Sequence, residues 1–467
     1  MTETLPAAPA LLDALRHQLR GDLYLPGQPG YETLATPWNV AVPDRPAAVV
    51  AAADADDVAA AVRFAGVHGL EVAVQATGHG AASQLAAPLL ISTARMTDCC
   101  IDPVARVARV GAGVRWTQVL DAAAPYGLAG LAGSAPGVGV VGYTTGGGLG
   151  PLARTLGLAS DRVRSFEVVT GDGQVRTASA TENRALFWAL RGGKGALGVV
   201  TTIEFELLPI PEILGGAVFF DGADAPAVLD AWRTWCAALP LEATTSIALQ
   251  QLPPLPGVPE PLAGRLTVAV RFAWTGDPAQ GERVFAPMLA AGRPILGGVG
   301  VMPYAALGAI HADPVDPMPV HEASTVLADL PAAAADKLLE FAGPGSGSPQ
   351  LIVELRQLGG AIASTDAPPS AFCHRNGAFA LTVIGLAAGP AAEPTAAHAD
   401  ALVRALAPWS TGGLLPNLAA SENPAATRRR YDQPTLTRLA TLIAAYDPQA
   451  VLRAGGAIRE ACDRRTV

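Results

Sequence analysis

Between Pro46 and Ala76, the apolar positions follow a strand pattern, then a helical one, then a strand pattern again. The run AAVVAAA predicts a strand, and the apolar residues of DADDVAAAVRFAGVHG recur at helical spacing, which predicts a helix. Asp54 or Asp56 can cap the start of this helix, and Gly69 can end it. The run LEVAVQA predicts the next strand, so the small-residue stretch ATGHGAAS begins where a strand ends. Ligands of α/β folds bind at such carboxyl ends.

The pattern changes further along the chain. A helix is predicted from about Thr117 to Tyr126, followed by a glycine-rich stretch and a hairpin that turns at 171–173. Pro209 and Pro211 mark a boundary. Beyond it, strands and helices lack βαβ regularity, which predicts an antiparallel sheet with helices on one face. The end of the chain is predicted to be helical.

Composition narrows the classes of function. A chain of 467 residues, 50% of them hydrophobic, is too long for one core and predicts at least two domains. The net charge of −9 and the scattered basic residues argue against nucleic acid as a partner. No apolar stretch reaches membrane-spanning length without Gly, Pro or charge, and the first residues do not follow a signal-peptide pattern. Five cysteines without CxxC spacing favour a reduced, cytoplasmic setting, and no metal site is expected.

Several glycine motifs call for a chemical explanation. Gly137, Gly139 and Gly142 form a literal GxGxxG, but Ser-Ala-Pro precedes it and YTTGGG is a poor helix start, which argues against a Rossmann motif. GGKGALG is not a P-loop, because Gly195 stands where Ser or Thr would bind Mg²⁺. The glycines of ATGHGAAS and GVGVVGYTTGGGLG could form ordinary loops. They also suit backbone that approaches a large, phosphate-bearing cofactor closely.

These segments together resemble the FAD-binding domain of the vanillyl-alcohol-oxidase/PCMH flavoprotein superfamily. More closely, the chain resembles the berberine-bridge-enzyme-like FAD-linked oxidases of actinobacteria. VAVQATGHGAAS is similar to the loop with the flavin-linking histidine, and VGVVGYTTGGGLGPLARTLGLASDRV to the second flavin loop. ENRALFWALRGGKGALGVVTTIEFEL resembles the third characteristic block, VELRQLGGAIA a substrate-domain strand, and AAYDPQAVLRAGGAI the C-terminal block.

The resemblance covers nearly the whole chain and implies an α+β fold. Residues 1–210 would form a PCMH-type FAD-binding domain of two subdomains, with its core at about 43–210. Residues 211–424 would form a substrate-binding domain whose antiparallel sheet is covered by helices. Residues 425–467 would return to the FAD-binding domain.

The resemblance also implies FAD, joined covalently through His79. Many relatives add a cysteinyl link, but Ala135 occupies the matching position and no cysteine lies in that loop, so a single link is expected. Val138 matches the position that controls oxygen's access to the flavin and is compatible with an oxidase. Side-chain contacts of the C-terminal block are put in doubt, because Ala450 and Gly455 stand where relatives have asparagines and Leu452 stands where they have phenylalanine. The implied cofactor-binding residues are Ala76, Thr77, Gly78, His79, Gly80, Ser83, Ala135, Pro136, Val138, Gly139, Gly142, Tyr143, Gly146, Gly147, Gly148, Leu149, Gly198, Val199, Val200, Asn417 and Gly455.

A flavin oxidase needs a base that takes a proton while a hydride leaves a substrate carbon. In QLIVELRQL, alternation places Ile352, Glu354 and Arg356 on one face. It places Leu351, Val353 and Leu355 on the other face. A carboxylate in an otherwise apolar strand favours a raised pKa, so Glu354 is the first candidate for the base. The alternative is a Glu354–Arg356 pair that only satisfies the sheet.

Other residues are weaker candidates for the chemistry. His374 is a second candidate base. The Tyr143 hydroxyl could hydrogen-bond the pyrimidine edge of the flavin, or the ring could simply be packed. Tyr431 and Asn417 could line the site, or they could serve core packing and a turn.

Three functions follow from the resemblance. The first is an oxidase that moves a hydride from a C–OH or C–H centre of a small organic molecule, such as a secondary metabolite, to FAD and passes electrons to O₂. The second is a flavin-dependent monooxygenase of the enterocin-pathway type, and the third is a non-redox protein that uses flavin as a scaffold. The expected partners are a small-molecule substrate and O₂. The sequence leaves the substrate and the oligomeric state open.

Overall fold

Three β-sheets organise the computed structural model, which describes residues 9–42, 45–80, 89–419 and 423–463. The first sheet has the order β1-β2-β4-β3, with β2, β4 and β3 parallel to one another. The Asp54 carboxylate accepts from the N–H groups of Asp56 and Asp57, and Gly69 ends the predicted helix with φ 63°, so this helix is confirmed. The elements of this region are α1 (Pro9–Arg16), β1 (Asp22–Tyr24), α2 (Tyr31–Ala35), β2 (Ala48–Ala51), α3 (Ala55–His68), β3 (Val72–Gln75) and β4 (Leu89–Ser92).

The second sheet is antiparallel, with the order β5-β6-β9-β7-β8. The predicted hairpin is confirmed, and Gly173 supplies its turn with φ 73°. YTTGGG was expected to start a helix poorly, but its first residues lie in a short helix that begins at Val140 and follows Gly139. The elements are β5 (Cys99–Asp102), β6 (Val107–Gly111), α4 (Trp116–Ala123), α5 (Val140–Thr145), α6 (Ala153–Leu156), β7 (Val163–Thr170), β8 (Val175–Ser179), α7 (Arg184–Leu190) and β9 (Gly198–Glu206).

The third sheet confirms the predicted antiparallel sheet of the α+β fold. Its order is β13-β10-β12-β11-β15-β16-β14, and every neighbouring pair is antiparallel. Helices cover one face, where Val353 and Leu355 pack in a core with Trp232 and Leu338. The elements are β10 (Glu212–Asp221), α8 (Ala225–Cys236), β11 (Ala243–Gln251), β12 (Leu266–Trp274), α9 (Pro278–Leu289), β13 (Pro294–Pro303), β14 (Val320–Leu327), α10 (Ala332–Ala342), β15 (Gln350–Gln357), β16 (Phe379–Leu386) and α11 (Ala392–Ala405).

The final helices pack against the second sheet's core, which contains Leu439, Ile443 and Ile458 together with Phe166. The predicted boundary at 210/211 falls in the link between β9 and β10, and the domain limits stay a prediction. Within the described part of the chain, no helix combines the length and the apolar character needed to cross a membrane. The final helices of the chain are α12 (Pro424–Arg430), α13 (Gln433–Tyr446) and α14 (Arg453–Asp463).

The second face of the third sheet is polar and yet buried, which matters for the site. Ser246 lies opposite both Arg271 and Arg356, so the three side chains share this face. Glu354 lies opposite Thr382 in the next pair of strands. Four of these five residues are buried, and the side chain of the fifth, Arg356, is 20% exposed. Because buried polar groups need hydrogen-bond partners, a polar face that no helix covers must contact a polar ligand or another polar surface.

Candidate active site

His79 lies in the loop that follows β3, half-buried against an indole. Its ring stacks on Trp38 with 4.7 Å between ring centroids and 19° between planes. The Trp38 Nε1–H donates to the Val315 carbonyl (3.1 Å), which holds the indole in place. Gly78 has φ 75°, and a Cβ there would lie 2.5 Å from the Pro37 Cα. The backbone therefore requires glycine before the histidine.

Replacement of Gly78 by alanine should destabilise the protein by about 1–3 kcal/mol, since the left-handed φ and the contact with Pro37 both oppose a Cβ. Chemical denaturation of the purified variant measures this loss. Gly80→Ala is the matched control, because its new Cβ would meet only the flexible end of Lys194 at 3.4 Å. Equal stabilities of the two variants would contradict the prediction.

The imidazole of His79 is held in its neutral form. Burial, and after it the Arg115 cation, lower the pKa of His79 to about 4, although the Asp313 carboxylate opposes this. At neutral pH the ring therefore keeps a nitrogen lone pair. A neutral imidazole is the form that can act as a nucleophile.

The three glycine-rich segments named in the sequence meet around His79. The position of a Cβ on Gly139 lies 3.6 Å from the Thr77 methyl group and 3.9 Å from the Ala76 Cβ, so the second loop touches the first. The third loop joins them, because the N–H of Lys194 donates to the Thr145 carbonyl at the end of α5 (3.1 Å). The structure thus brings together the residues predicted at 76–80 and 135–149.

Backbone contacts position the second loop. The N–H of Trp116 donates to the Val138 carbonyl (3.1 Å), and that of Thr117 donates to the Pro136 carbonyl (2.9 Å). The N–H of Val138 donates to the Ala135 carbonyl (3.1 Å), which closes a tight turn. Asn417, predicted either at the site or in a turn, donates its amide Nδ2–H to the Tyr143 carbonyl (2.7 Å). Asn417 therefore supports this loop from the far end of the chain.

The loops fit a flat, phosphate-bearing group such as FAD. A Cβ on Gly142 would meet no heavy atom within 4 Å, and one on Gly137 would meet only Arg115, at 3.9 Å. Gly147 and Gly148 differ, because a Cβ there would collide with Phe372 or with Ala159 and Tyr143. Open backbone on one side and tight support on the other form a cradle for a ligand.

Tyr143 has a packed ring, and its role toward the flavin stays a prediction. Its ring packs edge-on against Trp116 with 5.8 Å between centroids. Its hydroxyl is buried without a hydrogen-bond partner among the described residues, and burial raises its pKa. A buried hydroxyl of this kind is available to a ligand.

The remaining predicted flavin contacts lie in packed structure. Gly198, Val199 and Val200 begin β9 and are buried. Gly455 lies in α14, where a Cβ would approach the Ala196 carbonyl to 2.9 Å. Gly146 adjoins Asn417, and Leu149 lines a cavity beside the third sheet. Ser83 lies outside the described residues.

Glu354 is the centre of a buried ion network. Its Oε1 accepts from the Arg271 Nη1 (2.8 Å) and from the Ser246 hydroxyl (2.8 Å), and its Oε2 accepts from the Arg356 Nε (2.8 Å). The His311 Nε2 lies 3.3 Å from Oε1. The Glu354 side chain is only 7% exposed.

The expectation of a raised pKa for Glu354 is wrong. Burial does push its pKa upward, but Arg356 and Arg271 outweigh burial, so the pKa lies well below the usual range. A carboxylate held so firmly as an anion is a weak base. The alternative considered for it, a pair with Arg356, is present together with a second arginine that the strand pattern did not reveal.

The network reaches from the sheet to the second loop. The Arg356 Nη2 donates to the Ser134 hydroxyl (3.3 Å), which in turn donates to the Asp313 carboxylate (2.7 Å). Asp313 follows His311 closely in sequence, so one connection between strands supplies both groups. The sheet and the loop that we assign to the cofactor are thereby joined through polar side chains.

The structure places two other candidates away from this network. The Tyr431 hydroxyl donates to the Gly192 carbonyl (3.2 Å), and the ring lies in the core, so the packing role is favoured over a catalytic one. The His374 Nε2 lies 2.7 Å from the Arg429 carbonyl, and burial lowers the pKa of His374. His374 is not among the residues that line the cavity beside Glu354.

Sequence reasoning missed several residues of the site. Trp38 and Asp313 carry no recognisable motif. Arg271 had a signal, because it interrupts the apolar strand LTVAVRFAW as Glu354 interrupts its own strand. Glu322 has the property that was expected of Glu354, since burial raises its pKa although Lys194 opposes this.

Comparisons with known proteins agree with this geometry. Residues 46–179 match the family FAD_binding_4, described as an FAD binding domain. The chain is 31% identical over 299 residues to (R)-6-hydroxynicotine oxidase from Paenarthrobacter nicotinovorans, covering 63% of this chain and 64% of that protein. The matched part thus spans less than two thirds of the length of the curated relatives.

Solved structures match over almost the whole chain. 6-Hydroxy-D-nicotine oxidase from Arthrobacter nicotinovorans has a TM-score of 0.81 and 26% identity, over 93% of this chain and 97% of that one. BBE-like 1 from Physcomitrella patens has a TM-score of 0.83 and 19% identity, over 94% of this chain and 97% of that one. The family match and the fold define a flavoprotein with an FAD binding domain at residues 46–179. The chain's relatives and structural neighbours include berberine-bridge-enzyme-like oxidases, to which it is similar in sequence and in fold.

Proposed function

We propose that this protein is an FAD-dependent oxidase of a small organic molecule. The bound FAD supplies a two-electron acceptor for a hydride from a C–OH or C–H centre. O₂ then accepts the two electrons and is reduced to H₂O₂. The observation that carries the proposal is the convergence of three glycine-rich loops on His79, with open backbone facing one side. The family's FAD-binding domain and the oxidase names of the relatives support it.

We also propose that His79 alone links the flavin. The neutral imidazole would replace one hydrogen of the flavin 8α-methyl group, and the two electrons released would pass through the flavin to O₂. The stacked Trp38 restricts the orientation of the ring. Ala135 has no nucleophile, and none of the five cysteines lies in the three loops. None of them forms a disulfide either, which fits the reduced, cytoplasmic location that we propose.

Within the site, we propose that the residues of the third sheet bind and orient the substrate. Glu354 would hold Arg271 and Arg356 in fixed positions rather than accept a proton, because both of its oxygens are already shared among cations. The buried hydroxyls of Thr267 and Thr382 have no partner among the described residues and could receive polar groups of the substrate.

The oxidase proposal can be tested without knowing the substrate. Holoprotein reduced anaerobically with dithionite should reoxidise in air faster than reduced free FAD and release one H₂O₂ per flavin. Stopped-flow absorbance and a peroxide assay measure the two quantities. Slow reoxidation without a matching yield of peroxide would contradict an oxidase.

A substrate screen separates the remaining functions. Candidate alcohols and amines are mixed anaerobically with the holoprotein and scored by bleaching of the flavin. The set includes 6-hydroxynicotine, because the matched relative carries that name. With a compound that bleaches the flavin, turnover under ¹⁸O₂ should leave the label in peroxide and water. Label in the organic product would instead support the monooxygenase, and a flavin that no reductant bleaches would support the non-redox scaffold.

A further inference from the structure

A cavity lies between the polar face of the third sheet and the end of the second loop. Leu149, Gly150 and Pro151 form one wall. Side chains of β11, β12 and β15, together with His311, form the other. The cavity volume is about 30 Å³, and the space is partly open to solvent. A molecule seated here would lie between the sheet and the loop that we assign to FAD.

The wall of this cavity is cationic. Arg271, Arg356 and His311 line it, and no carboxylate from the described part of the chain does so. Glu354 compensates one positive charge from behind the wall, through its contacts with both arginines. Asp313 acts on Arg356 from the other side, through Ser134. Arg271 thus shares its single carboxylate with a second arginine.

The same wall carries hydrogen-bond donors without partners. Arg271 is 2% exposed, and its Nε–H has no partner among the described residues. Neither ring nitrogen of His311 has a partner of good geometry there, although Nε2 lies 3.3 Å from Glu354. Burial and the Arg271 cation lower the pKa of His311, so its ring is neutral and offers one N–H. Buried donors left unpaired are costly unless a ligand accepts from them.

We propose that this cavity binds a carboxylate group of the substrate, with the Arg271 Nε–H and a His311 ring N–H as donors. This inference rests on the proposed oxidase and narrows its substrates to organic acids. A carboxylate oxygen accepts strongly from a guanidinium, because a hydrogen bond between charged groups is stronger than one between neutral groups. The oxygen of a neutral amide of the same shape would accept more weakly.

The test uses holoprotein and benzoate as the probe, with benzamide as its neutral counterpart and chloride at equal ionic strength. Titration is followed by the flavin absorbance spectrum and, independently of flavin, by the shift in melting temperature. We expect benzoate to bind the holoprotein saturably. Benzamide should bind about tenfold or more weakly than benzoate, and benzoate should bind Arg271→Met more weakly by a similar factor, because a charge-assisted hydrogen bond is lost in both cases.

Two further variants keep the test decisive if Arg271→Met folds poorly. His311→Phe leaves the arginine–glutamate contacts in place and should also weaken benzoate binding. Arg265→Met removes a partly exposed arginine that pairs with Asp221 away from this cavity, and should leave benzoate binding unchanged. Equal affinity for benzamide or chloride, or undiminished benzoate binding in Arg271→Met and His311→Phe, would overturn the proposal. If flavin is bound and reoxidises as an oxidase but benzoate does not bind, only the carboxylate site fails.

Discussion

Acid-denatured protein will keep its yellow colour when His79 is present and will release the flavin when His79 is replaced by alanine. The reason is that the first loop offers a neutral imidazole, stacked on Trp38, where the three loops meet. Retained flavin is measured by absorbance of the washed precipitate, and flavin in the supernatant by fluorescence. The expected change is from nearly full retention to background.

The matched control is His68→Ala, which removes an exposed histidine at the end of α3 and should retain the flavin. Since the pKa of His79 is about 4, the extent of attachment should not vary between about pH 6 and 8. Flavin released from the unmodified protein would contradict the covalent link while leaving tight binding possible. Flavin retained by His79→Ala would move the link to another residue.

Replacement of Glu354 by glutamine should lower the free energy of unfolding by about 3–5 kcal/mol, which is the usual cost of removing one partner from a buried ion pair. The amide keeps the shape of the side chain but leaves Arg271 and Arg356 without their shared anion. Urea denaturation at neutral pH measures the loss. Glu340→Gln is the control, because Glu340 pairs with Lys337 on the surface and should change stability by less than about 0.5 kcal/mol.

The effect of Glu354 should depend on pH with a definite sign. Its pKa in the folded protein is depressed, so the stabilisation is fully present above the unfolded pKa of about 4.3. It is lost as the pH falls through the folded value, when the carboxylate is protonated. The stability difference between the unmodified protein and Glu354→Gln should therefore be constant near neutrality and shrink below about pH 4. A difference independent of pH would show that lost packing, not charge, causes it.

Much of the fold could be predicted because local signals agreed with one another. The cap at Asp54 and the stop at Gly69 bounded α3, and alternation placed Val353 and Leu355 in the core of the third sheet. The short helix at Val140 was the exception, since its Gly142 and its two threonines are poor helix formers. Its backbone is held instead by the N–H of Val140, which donates to the Val114 carbonyl (2.9 Å).

The candidate site, like the fold, could be predicted from the sequence only in part. The sequence by itself determined that a histidine in a loop of small residues follows a strand, because spacing and glycine content are local properties. Only the tertiary structure decided the state of Glu354, because the charge of a buried carboxylate depends on its neighbours in space. Arg271 comes from another strand and His311 from a connection between strands, so their effect on Glu354 exists only once the sheet has formed.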